Sequence, residues 1–197
     1  MAENMLNRLG IFFWNQFRLM TRILLTGFMG CGKSAAGVHL APLLKLPFCD
    51  LDEQVKAISG QSVPDIFRTH GEAAFRDLES SALQSLPEAI VCALGGGTVL
   101  RSANMAWIQA NGRLIYLKVS PRELQSRLEK DAAKRPLLCG PDGQPLAGVA
   151  LIARITDLLD QRAAVYEQAH YTVEVSDLNP LQTAEACVQI LRSYPAG

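Results

Sequence analysis

The sequence lacks an excess of charge of either sign: 19 lysines and arginines stand against 19 aspartates and glutamates in 197 residues. A chain without a basic surplus lacks the electrostatic footprint of a nucleic-acid binder, so any anion site must be a local cluster of cations. Cysteine pairing is absent too. Cys31, Cys49, Cys92, Cys139 and Cys187 are scattered, odd in number and contain no C-x-x-C, which excludes a zinc site or disulfide frame by spacing and fits a reducing, cytoplasmic setting. His39, His70 and His170 show no ligand spacing. Long apolar runs are missing. The N-terminal Ile11 to Trp14, with Phe17 and Leu19 beyond, is too short and interrupted to span a bilayer and has no small-residue cleavage site after it. No membrane partner, no nucleic-acid partner and, without an exposed heptad or long apolar patch, a monomer are the expectations.

What is present is an ordinary globular composition, 49% apolar and 19% charged. Short apolar runs at Ile23 to Thr26, Pro47 to Asp50, Ile90 to Leu94, Arg113 to Val119 and Tyr171 to Val175 read as strands. Between them lie helical patterns at Lys33 to Leu44, Asp52 to Ser59, Gly71 to Leu86, Pro121 to Lys130 and Leu151 to Gln168, with a last one at Thr183 to Arg192. This alternation predicts an α/β fold, a parallel sheet with helices on both faces. Ser120, Pro121 and Glu123 predict a reciprocally capped helix start. Residues 1–19 read as a dispensable extension and 20–197 as one domain. Within it "KRPLLCGPDGQPLAG" carries three prolines and three glycines, so about residues 131–150 are expected to form a loop, and Lys134 and Arg135 make it a candidate anion-facing lid.

The strongest chemical signal follows the first strand. "GFMGCGKS", Gly27 to Ser34, matches G-x-x-x-x-G-K-[ST] with a strand before it and a helix after it. Glycines let the backbone curl its N–H groups around a phosphate, and the following helix adds its positive end. Lys33 reaches the outer phosphates and Ser34 offers a hydroxyl to Mg²⁺. This motif alone specifies a nucleoside triphosphate and magnesium.

"FCDLDEQV" places Asp50 and Asp52 at the end of the second strand, where alternate side chains share a face. Two such carboxylates repel unless something satisfies them. Asp50 can accept from a metal-bound water and Asp52 from an acceptor hydroxyl; a helix N-cap is the blander alternative. Arg162 projects from the apolar stripe of Ile155, Leu158, Leu159 and Tyr166. It needs an anion there, either an internal salt bridge or a substrate carboxylate. Arg76 stands three residues before Glu79, the spacing of a helix-surface pair. Gly95, Gly96 and Gly97 fit either a close ligand approach or a tight turn.

Together "GFMGCGKS", "CDLDEQVKAISG", "FRDLES", "LGGGTVL", "KRPLL" and "RAAVYEQAHYTV", in this order from Met20 to about Tyr194, resemble the shikimate kinase family. The resemblance implies a three-layer P-loop kinase fold with a central five-stranded parallel sheet and a mobile lid. It implies transfer of the ATP γ-phosphoryl group to the 3-hydroxyl of shikimate, with Mg²⁺ as cofactor. It assigns the ATP phosphates to Gly30, Cys31, Gly32, Lys33, Ser34 and Ala35, with Arg135 swinging in on the lid. The metal falls to Ser34, and to Asp50 through water. The acceptor falls to Asp52, Arg76, Gly95, Gly96, Gly97 and Arg162, the two arginines gripping its carboxylate, and catalysis to Lys33, Asp52 and Arg135. An adenine-stacking arginine of the family maps to either Arg127 or Lys130. The rival readings are another small P-loop metabolite kinase, such as a gluconate kinase, and a nucleotide-binding regulator without catalysis.

Overall fold

The computed structural model describes residues 21–193, apart from the side chain of Lys134; the extension expected over residues 1–19 lies outside them. Five strands among the described residues, β1 (Arg22–Thr26), β2 (Phe48–Asp50), β3 (Ile90–Ala93), β4 (Gly112–Lys118) and β5 (Tyr171–Glu174), form one sheet in the order β2-β3-β1-β4-β5. Every pairing is parallel. Each strand lies within a residue or so of its predicted position. Parallel strands need covered faces, and the side-chain alternation supplies two separate cores. Ile23, Leu25, Val91, Ile115 and Leu117 face one; Leu24, Ile90, Cys92, Leu114 and Tyr116 face the other.

The first core is closed by α1 (Lys33–Leu44), α5 (Pro121–Leu128) and α7 (Pro180–Ser193), through residues such as Leu40, Leu128 and Cys187. The second is closed by α2 (Leu51–Ser59), α3 (Val63–Gln84) and α4 (Ser102–Asn111), through Val55, Ile66, Leu83 and Ile108. Helix α6 (Gly148–Tyr166) belongs to both: Leu151, Ile155 and Leu158 pack in the first core, whereas Tyr166 packs in the second. It therefore crosses from one face to the other, and Arg162 lies at the crossing.

Four expectations are corrected. Helix α3 begins at Val63, with Ser62 accepting from the Asp65 N–H, and bends at Gly71 (φ 80°, ψ 176°). The S-x-x-D signature "SVPD" announces that start. Helix α4 was not predicted; it has no side-chain N-cap and its buried positions are few. The Ser120 cap forms, accepting from the Glu123 N–H at 3.3 Å, but its reciprocal arm does not. Glu123 instead receives Arg127 Nε at 2.8 Å, and the Ser120 N–H goes to Ser176.

The fourth correction concerns the lid. It is not structureless: two 3₁₀ turns (Glu129–Lys134 and Pro136–Leu138) lead to a small antiparallel bridge between Cys139 and Pro145, and α6 already starts at Gly148. Ala132 and Leu138 are buried in the first core beside Leu128 and Leu151. Burying a leucine side chain stabilises by about 1.5–3 kcal/mol, which outweighs the weak preference of a proline- and glycine-rich segment for irregular structure. Leu138→Ala should accordingly cost about 2–5 kcal/mol in urea unfolding; a loss near zero would show that the lid is not docked.

Candidate active site

The phosphate-type loop needs its glycines for two reasons. Gly27 (φ 140°) and Gly30 (φ 79°) occupy backbone conformations that side chains resist, and a Cβ would lie 2.6 Å from the Leu117 carbonyl oxygen at the first and 2.8 Å from Leu128 at the second. Lys33 Nζ donates across the loop to the carbonyls of Gly27 (2.9 Å) and Phe28 (3.1 Å). Among the described residues no protein acceptor takes the N–H groups of Gly30, Gly32, Lys33, Ser34 or Ala35, so these donors remain available to an anion. Cys31 differs from the expectation, because its N–H closes the loop on the Phe28 carbonyl at 3.2 Å.

Asp50 and Asp52 come together by another route than strand alternation. The strand stops at Asp50, which becomes the N-cap of α2 and accepts the Asp52 N–H at 3.1 Å. The capping alternative thus holds for Asp50, and it turns Asp52 into the first turn of the helix. The second oxygen of Asp50 accepts the Ser34 hydroxyl at 2.5 Å, bridging the two sides of the cleft floor. Burial pushes the Asp52 carboxyl up to about 6, helped by the negative charges of Asp50 and Glu79 and opposed by Lys33 and Arg76. All of these charges therefore surround one carboxyl group.

Glu79 is the residue that sequence reasoning undervalued. It reads as a surface partner of Arg76, yet it is wholly buried. Arg76 donates to one oxygen at 2.9 Å and Thr98 to the other at 2.6 Å, while Arg76 also reaches Glu72 at 3.2 Å. A legible signal existed: Phe75, Glu79, Ala82 and Leu83 share one helical stripe, and a carboxylate on an apolar stripe must be paired.

The triple glycine is explained by space rather than by dihedral angle, since none of its three residues has positive φ. A Cβ at Gly95 would lie 2.7 Å from Glu79 Oε1 and 3.5 Å from Asp52 Oδ1; one at Gly97 would lie 2.8 Å from Arg76 Nη2. At Gly96 it would meet the phosphate-type loop, 3.4 Å from Gly27 O and 3.5 Å from Met29 N. The turn thus touches Asp52, Arg76 and the glycine loop at once.

Arg162 has no internal salt bridge among the described residues. Its guanidinium lies over the Phe28 ring, 5.7 Å from the centroid, at the edge of the same loop. Arg135 is not brought to the cluster: no hydrogen bond or ion pair joins its side chain to Lys33, Asp52, Arg76 or Arg162 among the described residues, and its Nε is buried without a partner. Of the two adenine-side candidates, Arg127 lies at the loop. It donates to the carbonyls of Cys31 (3.4 Å), Val175 (3.5 Å) and Ser176 (3.2 Å), whereas Lys130 is exposed.

With this geometry in place, comparison with known proteins is direct. The family model for shikimate kinase matches residues 29–192. The shikimate kinase of Salinibacter ruber is 40% identical over 155 residues, spanning 78% of this chain and 76% of that protein. The shikimate kinase of Caldanaerobacter subterraneus is 38% identical over 177 residues, spanning 89% and 96%. Among solved structures, shikimate kinase from Acinetobacter baumannii in complex with shikimate matches with a TM-score of 0.79 at 31% identity, covering 91% of this chain and 97% of that one.

The charge arrangement makes a prediction that needs no substrate. NMR titration of the Asp52 carboxyl should give a midpoint near 6. In Glu79→Gln the midpoint should fall, because a nearby negative charge is removed. A wild-type midpoint near 4, the ordinary aspartate value, would contradict the described surroundings.

Proposed function

The chain belongs to the shikimate kinase family and is an ATP-dependent kinase acting on shikimate, and we propose that the cleft between the glycine loop and the Gly95–Gly97 turn is where the γ-phosphoryl group passes to the 3-hydroxyl. The single observation that carries the site assignment is the convergence on Asp52. A half-buried carboxylate, its pKa raised to about 6, stands beside both the phosphate-loop lysine and Arg76.

The roles follow from the chemistry. The free N–H groups of Gly30, Gly32, Lys33, Ser34 and Ala35 bind the ATP phosphates, and Lys33 exchanges its carbonyl partners for phosphate oxygens. Arg127, at the edge of the loop, is the residue for the adenine. Arg76 and Arg162 bind the shikimate carboxylate, for which a planar guanidinium offers two parallel donors. Asp52 accepts hydrogen bonds from the acceptor hydroxyls and takes the proton of the attacking one. At neutral pH it is mostly ionised, yet basic enough to hold that proton. A loose phosphoryl-transfer transition state asks for alignment and charge stabilisation rather than covalent help. Arg135 supplies charge stabilisation when lid movement brings it in; its unpartnered Nε supports a side chain awaiting an anion.

Magnesium fits the residues present. Ser34 and Asp50 offer hard oxygens at the loop and already contact each other, and Mg²⁺ takes few protein ligands and keeps several waters. Ser34 would ligate it directly and Asp50 through water; the bound ion neutralises phosphate charge. We further infer that residues 20–197 form the catalytic domain, that residues 1–19 are dispensable, and that the protein is a cytoplasmic monomer. No helix among the described residues is long and apolar enough to cross a membrane.

An ADP-release assay with shikimate, quinate and gluconate in parallel should show turnover with shikimate; turnover with gluconate alone would overturn the assignment. Asp52→Asn should lower kcat by at least about a hundredfold, the lower range of general-base effects, while ADP affinity persists. Lost ADP affinity would place Asp52 in the nucleotide site instead. Arg162→Ala should raise the KM for shikimate by roughly 10- to 100-fold, the equivalent of one charge-assisted hydrogen bond. An unchanged KM would remove Arg162 from the acceptor site.

A further inference from the structure

Tyr166 ties the acceptor side of the cleft together. It follows Arg162 by one helical turn on α6, so the two side chains share a face. Its ring is fully buried and stacked on Tyr116, with centroids 5.0 Å apart. Its hydroxyl donates to the Gly96 carbonyl at 2.7 Å. Burial pushes that hydroxyl's pKa up against the nearby Arg162 charge, so it remains a donor at neutral pH.

The consequence lies in the peptide plane. The Gly96 carbonyl and the Gly97 N–H belong to the same trans peptide unit and point in opposite directions. Holding the carbonyl therefore aims the N–H. Among the described residues no protein acceptor takes the N–H of Gly96 or Gly97. Three adjacent glycines restrain this peptide little through their Cα atoms. The Thr98 N–H on the Gly95 carbonyl at 3.2 Å closes a turn around it, and the Tyr166 hydroxyl is the side-chain contact that selects which way its carbonyl points.

We propose that Tyr166 is a positioning residue for the acceptor: it fixes the orientation of the Gly96–Gly97 peptide and its spacing from Arg162, so that the amide and the guanidinium address one acceptor molecule. This rests on the reading of the cleft given above. The packing role of Tyr166 belongs to its ring, which phenylalanine reproduces; the positioning role belongs to the hydroxyl alone.

Tyr166→Phe is therefore the test, with Tyr116→Phe as the control for the same stacked pair. Tyr166→Phe should raise the KM for shikimate by about 3- to 10-fold, the ratio one neutral hydrogen bond supplies, with the KM for ATP changed by less than about twofold. Tyr116→Phe should change neither. In the free proteins, the Gly96 and Gly97 amide resonances should move in Tyr166→Phe and not in Tyr116→Phe. Unmoved amides, an unchanged shikimate KM, or an equal rise in both KM values would overturn the proposal. Wild-type enzyme without shikimate turnover would instead sink the functional reading, leaving the amide measurement to decide on Tyr166. If Tyr166→Phe yields no folded protein, shikimate titration of the wild type decides: the Gly97 amide should shift on binding, and a stationary amide overturns the proposal.

Discussion

A buried carboxylate, Glu79, is the constraint around which the proposed acceptor wall is organised. An ionised group taken wholly out of water is tolerated only when charge and hydrogen bonds satisfy it. Arg76 and Thr98 do so from opposite oxygens. Those bonds fix the Arg76 guanidinium and bring the Thr98 end of the glycine turn against α3. Gly95 must lack a side chain because Glu79 and Asp52 both lie against it. The negative charge of Glu79 in turn helps hold the Asp52 proton. Removing one partner of such a buried pair costs about 3–5 kcal/mol in general, which explains why the pair is a framework as well as an electrostatic device.

The second constraint is the path of α6. Helix α6 begins in the core of one sheet face and ends in the core of the other, and on the way it passes the carboxyl ends of the strands, where Phe28 and Gly96 lie. Open parallel sheets hold their ligands at that edge. The crossing sets Arg162 beside Phe28 of the glycine loop and ends on Tyr166 beneath Gly96. The same helix starts at the lid, whose Leu138 is seated in the first core. The glycine loop, the lid segment and the proposed acceptor side are therefore linked through one element, and any movement of the lid segment would have to work against that buried contact.

Much of the fold was legible. Short apolar runs locate the strands because a parallel sheet buries both faces, and the glycine loop is read from a motif whose every residue has a steric or electrostatic duty. Strand order was not legible, since an apolar run reveals burial but not its neighbour. The helix before Gly71 was announced by "SVPD" and passed over, whereas α4 offers neither cap nor clear stripe. Asp50, Asp52, Arg76, Arg162 and the three glycines were found as candidates, but not how they meet. Asp50 and Asp52 meet through a helix cap rather than through strand alternation. The glycines make room for close neighbours in a turn whose dihedral angles do not themselves require glycine. Glu79 was missed because its role depends on burial, and a three-residue spacing to an arginine looks the same on a wet surface as in a core.

The central claim is that one cleft holds a triphosphate against Lys33 and an acidic acceptor against Asp52, Arg76 and Arg162. A crystal structure with shikimate and a non-hydrolysable ATP analogue tests it most directly. The account predicts the acceptor carboxylate on the two guanidinium groups, a ring hydroxyl on Asp52, and the γ-phosphoryl group between that hydroxyl and Lys33. Shikimate bound outside this cleft, or with its carboxylate away from both arginines, would contradict it.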